Sequence, residues 1–234
     1  MTVISTYQPY FSPFGGFFEK AFHSDILVLM DTVQFPLGST WLTRNRFKND
    51  QGVLWIIIPV WKRGLGLQRI CDVRICNEGR WAEKCLKALK TAYKNAPYFE
   101  DHVNFLQGIF FEPSERLIDL NVKIIRYLME HMAVSSRLVL LSGLGIETKE
   151  PRLSVEVAKR IGANDFLAQT GAKKYLDSRL FQKEGIGLKF YSPRPVIYPQ
   201  LWGEFLPNLS AFDMLFNCGP KAGNILRGRR VQGV

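Results

Sequence analysis

The stretch "RLVLLSGLGIETKEPRLSVEVAKRIGANDFLAQTGAKKYLDSRLFQKEGIGLKFY", residues 137–191, decides the fold class. It alternates short apolar runs with amphipathic segments, which are typical of buried strands and surface helices. The pattern predicts strand, helix, strand, helix and strand at 137–142, 152–161, 164–169, 172–182 and 186–191. This βαβαβ order favours a parallel sheet covered by helices on both faces. We therefore expect an α/β protein with a Rossmann-like, mostly parallel sheet.

The beginning of the chain repeats this pattern. Apolar runs at 3–6 and 25–30 predict two further strands, and an amphipathic segment at 13–23 predicts a helix between them. The continuous apolar run "VLWIIIP" (53–59) is typical of a buried strand, and "RICDVRI" (69–75) alternates like a half-exposed one. The N-terminal half therefore supplies strands as well.

Two long helices are predicted in the middle of the chain. Trp81, Cys85, Leu89 and Tyr93 form a four-residue stripe within 78–95, and a similar stripe runs through 113–132. We interpret these helices as an additional layer on the sheet. Since no linker or repeat divides the chain, we expect a single domain over residues 1–225 and a frayed basic tail at 226–234.

Charge and composition limit the classes of function. The chain has 234 residues with 31 Lys and Arg against 21 Asp and Glu, and this net charge of +10 favours an anionic partner. Nucleic acid, a phosphorylated small molecule and an acidic membrane surface all fit. The longest near-continuous apolar run, 53–61, is too short to span a bilayer, and no signal peptide is recognisable. We expect a cytoplasmic protein without a membrane span.

Motifs of familiar metal and nucleotide chemistry are missing. The four cysteines and three histidines have no zinc-ligand spacing, and HExxH, GxSxG and GxxxxGK[ST] do not occur. We therefore expect no metal and no cofactor, and we interpret the cysteines as buried free thiols.

The candidate site should lie in the loops that follow the strands, because ligands bind beyond the carboxyl ends of parallel strands. The first loop, "YQPYFSPFGG" (7–16), contains Gln8 and leads to a helix whose N-terminal amides could bind an anion. Its alternative interpretation is a rigid turn packed by aromatic rings. A later loop places Gln169 before "TGAKKY", which fits either an anion site or a helix capped by Thr170.

The second loop contains more charge. Asp31 and Gln34 follow the strand at 25–30, and an alternating set of cations at 44, 46 and 48 would lie on one side of an extended segment. Guanidinium groups bind phosphate or carboxylate well. Alternatively, Asp31 only pairs with one of the arginines. Ser210 and Asp213 form a helix-capping pattern, and Asn208 lies in the loop before it.

Several stretches in the same order resemble the WbqC-like family. They are "YQPYFSPFGGFFEKAFHSDILVLMDTVQF", "WLTRNRFKNDQGVLWIIIPV", "RWAEKCLKALKTAYKNAPYF", "IGANDFLAQTGAKKYLDSRLFQKEGIGLKFY" and "YPQLWGEFLPNLSAFDMLFNCG". Together they cover nearly the whole chain, from about residue 3 to 219. The resemblance implies a role in O-antigen or other surface-polysaccharide biosynthesis, which identifies a pathway rather than a reaction.

The resemblance also implies site positions. The family motifs fall on Gln8 and Pro9, Asp31 and Gln34, Asn45, Arg46 and Lys48, Tyr198 and Gln200, and Asn208 and Ser210. Tyr7 stands where the family is expected to have histidine. A phenol is a poor base at neutral pH, so Tyr7 either binds substrate or alters the activity of this member.

These observations predict a transferase of bacterial surface-polysaccharide (lipopolysaccharide) biosynthesis that acts on a nucleotide-linked sugar or a small activated donor. The candidate catalytic residues are Asp31, Gln8 and Gln34. The candidate substrate-binding residues are Tyr7, Arg44, Asn45, Arg46, Lys48, Gln169, Tyr198, Gln200 and Asn208. The alternatives are a tRNA-binding module, in which exposed aromatic residues stack on bases, and a non-catalytic scaffold of a glycan-assembly complex. A homo-oligomer is also compatible with the sequence.

Overall fold

A computed structural model describes residues 1–112, 114–193 and 195–227. Most of the tail predicted to be frayed, residues 228–234, lies outside the described residues. The strands are β1 (Val3–Tyr7), β2 (Ile26–Leu29), β3 (Arg44–Asn49), β4 (Gly52–Ile57), β5 (Arg137–Leu140), β6 (Asp165–Gln169) and β7 (Gly187–Tyr191). The α-helices are α1 (Gly15–Phe22), α2 (Trp81–Tyr93), α3 (Glu100–Phe111), α4 (Leu117–His131), α5 (Arg152–Ile161), α6 (Ser178–Lys183), α7 (Ala211–Cys218) and α8 (Ala222–Arg227).

Five strands form a parallel sheet in the order β5-β2-β1-β6-β7. In the central pairings Ile4 lies beside Ile26 on one side and beside Phe166 on the other. From β1 the chain builds outward to β2 and β5, and it then returns to add β6 and β7 on the opposite side. This reversal makes the space beyond β1 and β6 the topological switch point, where open α/β sheets bind their ligands.

Both faces of the sheet are covered, as predicted. Leu27 and Leu29 of β2 pack into a large core with α1, α2, α3, α4, α7 and α8, whereas Ile26 and Val28 pack into a second core with α5 and α6. Because alternate residues of β2 are buried on opposite faces, every position of the strand is apolar in sequence. The Rossmann-like α/β class is therefore confirmed.

Four segments differ from the prediction. The strand expected to be buried at 53–59 is β4, and its Val53, Trp55 and Ile57 are 43%, 40% and 50% exposed because β4 belongs to a two-stranded hairpin outside the parallel sheet. The expected strand at 69–75 is a short 3₁₀ turn, Ile70–Asp72, because this segment pairs with three separate partners, Gln34, Val60 and Arg116, at single residues. Helix α3 was not predicted. The helix expected at 172–182 is instead a 3₁₀ turn, Thr170–Lys174, followed by α6, because the Asp177 carboxylate accepts from the Arg179 amide and starts a new helix.

The antiparallel hairpin β3–β4 and helices α2, α3 and α4 are inserted between β2 and β5. The hairpin register places Arg46 opposite Trp55. The C-terminal helix α7 begins at Ser210, whose side chain accepts from the Phe212 amide at 3.2 Å, so the predicted cap is present. The insertion and this C-terminal segment meet beside the carboxyl end of β1.

Candidate functional site

An inner cavity of about 310 Å³ lies beyond the carboxyl ends of β1 and β6. We define it by its polar lining residues, which are Thr6, Tyr7, Gln8, Tyr10, Lys20, Glu150, Ser154, Gln169 and Tyr175. At its mouth the Gln169 amide donates from Nε2 to the Tyr7 hydroxyl at 2.6 Å. This hydrogen bond joins the ends of β1 and β6, so the switch point has a fixed shape.

Lys20 lines the inner cavity and was not singled out in the sequence. Only 1% of its surface is exposed. Its Nζ donates to the main-chain oxygen of Thr6 at 2.7 Å and lies 3.7 Å from the centre of the Tyr7 ring. Burial lowers the pKa of Lys20 to about 7, since an ammonium group is poorly solvated there. Near neutral pH a large fraction of Lys20 is therefore an uncharged amine.

This burial should make the stability of the protein depend on pH. The unfolded chain keeps the ordinary lysine pKa of 10.5, so between about pH 7 and 10.5 it binds more protons than the folded state. Stability contributed by Lys20 therefore rises with pH through that window and falls as pH decreases toward 7. In urea unfolding, the free energy of unfolding of the wild type relative to that of Lys20→Met should increase with pH across this window. The increase should reach about 1.4 kcal/mol per pH unit. The exposed Lys183→Met is the control, and a difference that does not change with pH would contradict this assignment of Lys20.

Glu150 is the carboxylate of the inner cavity and was also missed in the sequence. One carboxylate oxygen accepts from the Ser154 hydroxyl at 2.6 Å, and the other accepts from the Ser154 amide at 3.3 Å. These bonds attach the side chain to the first turn of α5. Burial, followed by the charge of Glu150, raises the pKa of Tyr175, so this neighbouring phenol stays protonated at neutral pH.

A second, outer cavity of about 280 Å³ adjoins the first. It is lined by Tyr10, Phe14, Trp41, Asn45, Arg46, Gln169 and Asn208. Tyr10 and Gln169 line both cavities, so the two are adjacent, and we refer to them together as the groove. Burial raises the pKa of the Tyr10 phenol. Tyr10 is therefore a neutral hydrogen-bonding group between the cavities.

Arg46 supplies the positive charge of the outer cavity. Its Nη2 donates to the carbonyl oxygens of Pro207 (3.2 Å) and Asn208 (3.0 Å), and its guanidinium lies 5.7 Å from the Trp41 ring centre. Its Nε is buried, and no described residue accepts from it. The neighbouring Asn45 donates from Nδ2 to the carbonyls of Phe11 and Ser12, which fixes the first loop against β3.

The model of the WbqC-like protein family matches residues 8–225. The chain belongs to this family. It is also 27% identical, over 229 residues, to an uncharacterised protein of Mycobacterium tuberculosis, and the match covers 97% of this chain and 98% of the relative. No solved structure matches the chain.

Only some of the WbqC-like motif positions reach the groove. Gln8 lines the inner cavity, as does Tyr7, and Asn45, Arg46 and Asn208 line the outer one. Gln169, which was predicted from its loop rather than from the family, lines both. Tyr7 stands at the expected histidine position and is buried. Burial, together with the charge of other groups nearby, raises its pKa, so Tyr7 does not act as a base in this WbqC-like protein.

Asp31 and Gln34 line neither cavity of the WbqC-like protein. Asp31 is buried, and its carboxylate accepts from the Ser142 amide at 2.9 Å, which joins the end of β2 to the end of β5. The arginine pairing considered for Asp31 is absent among the described ion pairs. Gln34 is exposed and forms an isolated main-chain bridge with Arg69.

Lys48 and Arg44 also lie outside the groove. The cations at 44, 46 and 48 share one face of β3 with Ile57, Trp55 and Val53 of β4. Lys48 is buried, however, and donates to the Gln200 side chain (3.2 Å) and the Glu204 carbonyl (2.5 Å). Burial lowers its pKa. Arg44 is half-buried, with its guanidinium 4.5 Å from the Trp55 ring centre.

Tyr198 and Gln200 belong to a buried polar network. Gln200 accepts from the Leu206 amide and donates to its carbonyl, both at 2.9 Å. Tyr198 contacts Asp213, and burial raises the pKa of both groups. Asp213 also accepts from the Tyr93 hydroxyl at 2.5 Å. This network holds the loop whose carbonyls bind Arg46.

Within residues 1–112, 114–193 and 195–227, no group of three or more His, Cys, Asp or Glu side chains is arranged to hold a metal ion. In the same ranges no helix combines the length and the apolar composition that crossing a bilayer requires.

Proposed function

We propose that this WbqC-like protein is a cytoplasmic transferase of surface-polysaccharide biosynthesis and that its groove binds a nucleotide-linked sugar. The observation that carries the proposal is that two adjacent cavities, which share Tyr10 and Gln169, lie at the switch point of the sheet. A groove with a cationic outer part and a polar inner part fits an elongated ligand with a phosphate group.

The outer cavity would hold the nucleotide. Arg46 is fixed by two carbonyls, and its unpaired Nε makes it a suitable donor to a phosphate oxygen after a small rotation. Trp41 is 43% exposed and stacks on Trp55 with ring centres 5.8 Å apart, so a rigid aromatic face stands beside the guanidinium. Such a face stacks on a base or on the apolar side of a sugar.

The inner cavity would hold the group that reacts. The Gln8 side chain has no hydrogen-bond partner among the described residues and lines this cavity, so it is free to bind the acceptor. Lys20 and Glu150 provide a proton acceptor and a carboxylate in the same space. A positioned base of this kind accelerates transfer typically about 10²–10⁴-fold.

One observation favours RNA binding as a second candidate. The stacked rings of Trp41 and Trp55 are partly exposed, with Arg44 beside Trp55 and Arg46 beside Trp41, and Trp61 is 44% exposed. Exposed aromatic rings beside arginines bind single-stranded bases. Binding of that kind would weaken steeply with salt.

The test is a thermal-shift screen of the purified protein against UDP-, GDP- and dTDP-sugars, the free nucleotides, acetyl-CoA and unfractionated tRNA. We expect one class of nucleotide sugar to raise the unfolding midpoint, because a ligand at a hundredfold excess over its Kd stabilises the folded state by about 2.7 kcal/mol. The midpoint shift should persist at raised salt. Stabilisation by tRNA alone, fading as salt increases, would overturn the transferase in favour of the RNA-binding candidate.

A further inference from the structure

Charge is divided unequally between the two parts of the groove. The outer cavity is lined by the guanidinium of Arg46 and by no described carboxylate. The inner cavity is lined by the carboxylate of Glu150, and its one described cationic residue is Lys20. Since burial lowers the pKa of Lys20 to about 7, its ammonium charge only partly offsets a carboxylate in this cavity near neutral pH.

Lys20 is the amine that lines the inner cavity. Its Nζ makes one described hydrogen bond, to the Thr6 carbonyl, and it forms no described ion pair with a carboxylate. The titratable groups around it are Tyr7 from β1, Tyr10 from the first loop, Glu150 from the segment before α5, and Glu19 beside it in the chain. The two tyrosines have raised pKa values and remain neutral, so Lys20 is the group in this cavity that can take up a proton.

We propose that the sugar bound in the groove carries a primary amine, that Glu150 binds this amine in its ammonium form, and that Lys20 accepts a proton from it. The inference rests on the proposed function and adds the substrate class, an amino sugar linked to a nucleotide. The phosphate lies against Arg46, and the amine lies in the inner cavity at the opposite end of the groove.

The proton transfer is balanced within the site. The sugar ammonium, R–NH₃⁺, gives one proton to the neutral Lys20 amine, which yields R–NH₂ and a Lys20 ammonium. The only bonds that change are the N–H bond broken on the sugar and the N–H bond formed on Lys20, and the sugar nitrogen keeps the lone pair. The Glu150 carboxylate keeps its charge and holds the ammonium before the proton leaves. Gln8 orients the neutral amine by a hydrogen bond.

Matched ligand pairs test the inference by isothermal titration calorimetry at neutral pH. The pairs are UDP-glucosamine against UDP-glucose, and dTDP-4-amino-4,6-dideoxyglucose against dTDP-6-deoxyglucose. We expect at least one amino sugar to bind about tenfold more tightly than its hydroxyl counterpart, which corresponds to about 1.4 kcal/mol. Glu150→Gln should abolish this preference, whereas the control Glu147→Gln, an exposed neighbour on the same loop, should retain it.

The outcomes separate this inference from the proposed function. If nucleotide sugars bind the wild type without any preference for an amine, the inference is overturned while the proposed function stands. If no nucleotide sugar binds at all, the proposed function is overturned and the inference with it.

A second measurement tests Lys20 in the wild-type protein and so does not depend on a variant that folds. Brief treatment with acetic anhydride at increasing pH, followed by peptide mass spectrometry, reports which lysines are free amines. Lys20 should reach half-maximal labelling near pH 7, whereas Lys183 should follow an ordinary lysine, and UDP-glucosamine or the dTDP amino sugar that binds should protect Lys20. Absence of labelling at Lys20, or a titration like that of Lys183, would overturn its role as proton acceptor.

Discussion

Replacing Asp213 by alanine is expected to lower the free energy of unfolding by about 3 kcal/mol, as urea or thermal unfolding would measure. Asp213 is fully buried at the start of α7 and accepts from the Tyr93 hydroxyl. Tyr93 in turn accepts from the Lys48 amide at 2.9 Å, so one carboxylate orders groups from three distant parts of the chain. Alanine would leave a buried hydroxyl without its acceptor and would also leave a cavity.

Two further variants separate the hydrogen bonds from the charge. Asp213→Asn keeps an oxygen that can accept from Tyr93, so we expect a loss of about 1 kcal/mol. Asp50→Ala, in the exposed turn between β3 and β4, should change stability by less than about 0.5 kcal/mol. If Asp213→Ala were as stable as Asp50→Ala, the network around Asp213 would not stabilise the C-terminal loop.

Replacing Arg46 by alanine is expected to weaken binding of the nucleotide sugar found in the screen by about thirty- to a hundredfold, or about 2–3 kcal/mol. Arg46 is the one described cation that lines the outer cavity, and a charge-assisted hydrogen bond to phosphate would be lost with it. The same variant removes the bonds to the Pro207 and Asn208 carbonyls, so the loop that borders the cavity would also be less well fixed. Titration calorimetry on the folded variant gives the change in Kd.

Arg44→Ala is the matched control for Arg46→Ala. Both arginines belong to β3 and lie on the same face of the hairpin, but Arg44 packs on Trp55 outside the groove. We expect Arg44→Ala to change the Kd less than threefold. Equal losses in the two variants would show that general positive charge, rather than the position of Arg46, attracts the ligand. Arg46→Lys should recover only part of the affinity, since lysine lacks the planar fork.

The sheet could be predicted because its strands are buried on both faces. The run "DILVLM" gives a clear signal, since Ile26 and Val28 pack on one face and Leu27 and Leu29 on the other. The segment 69–75 also has a strand-like sequence, but its buried residues are Ile70, Val73 and Ile75, and the first would lie on the opposite face of a strand from the other two. Its failure to form a strand depends on partners at Gln34, Val60 and Arg116, and such distant pairings leave no local pattern.

The candidate site was only partly predictable for the same reason. Alternation along β3 correctly places 44, 46 and 48 on one side, but it cannot reveal that the loop at 198–208 covers Lys48 and leaves Arg46 beside a cavity. Lys20 lies in the apolar helix α1, where a single lysine resembles a surface residue until the helix is packed against β1. Glu150 precedes a proline between two elements, and its sequence gives no sign that it borders the switch point.

The outer cavity depends on chain segments that are far apart in order of synthesis. The Ser210 amide donates to the Arg46 carbonyl at 2.8 Å, the Ser210 and Ser12 hydroxyls share a hydrogen bond, and the Ala211 amide donates to the Pro13 carbonyl. Contacts over such separations form late, because closing long loops is slow. A ribosome-bound chain that ends before Ser210 would already contain every strand of the sheet and yet lack this cavity. Only a chain that extends past Ser210 would therefore bind the ligand. Binding could begin only after this segment has been synthesised.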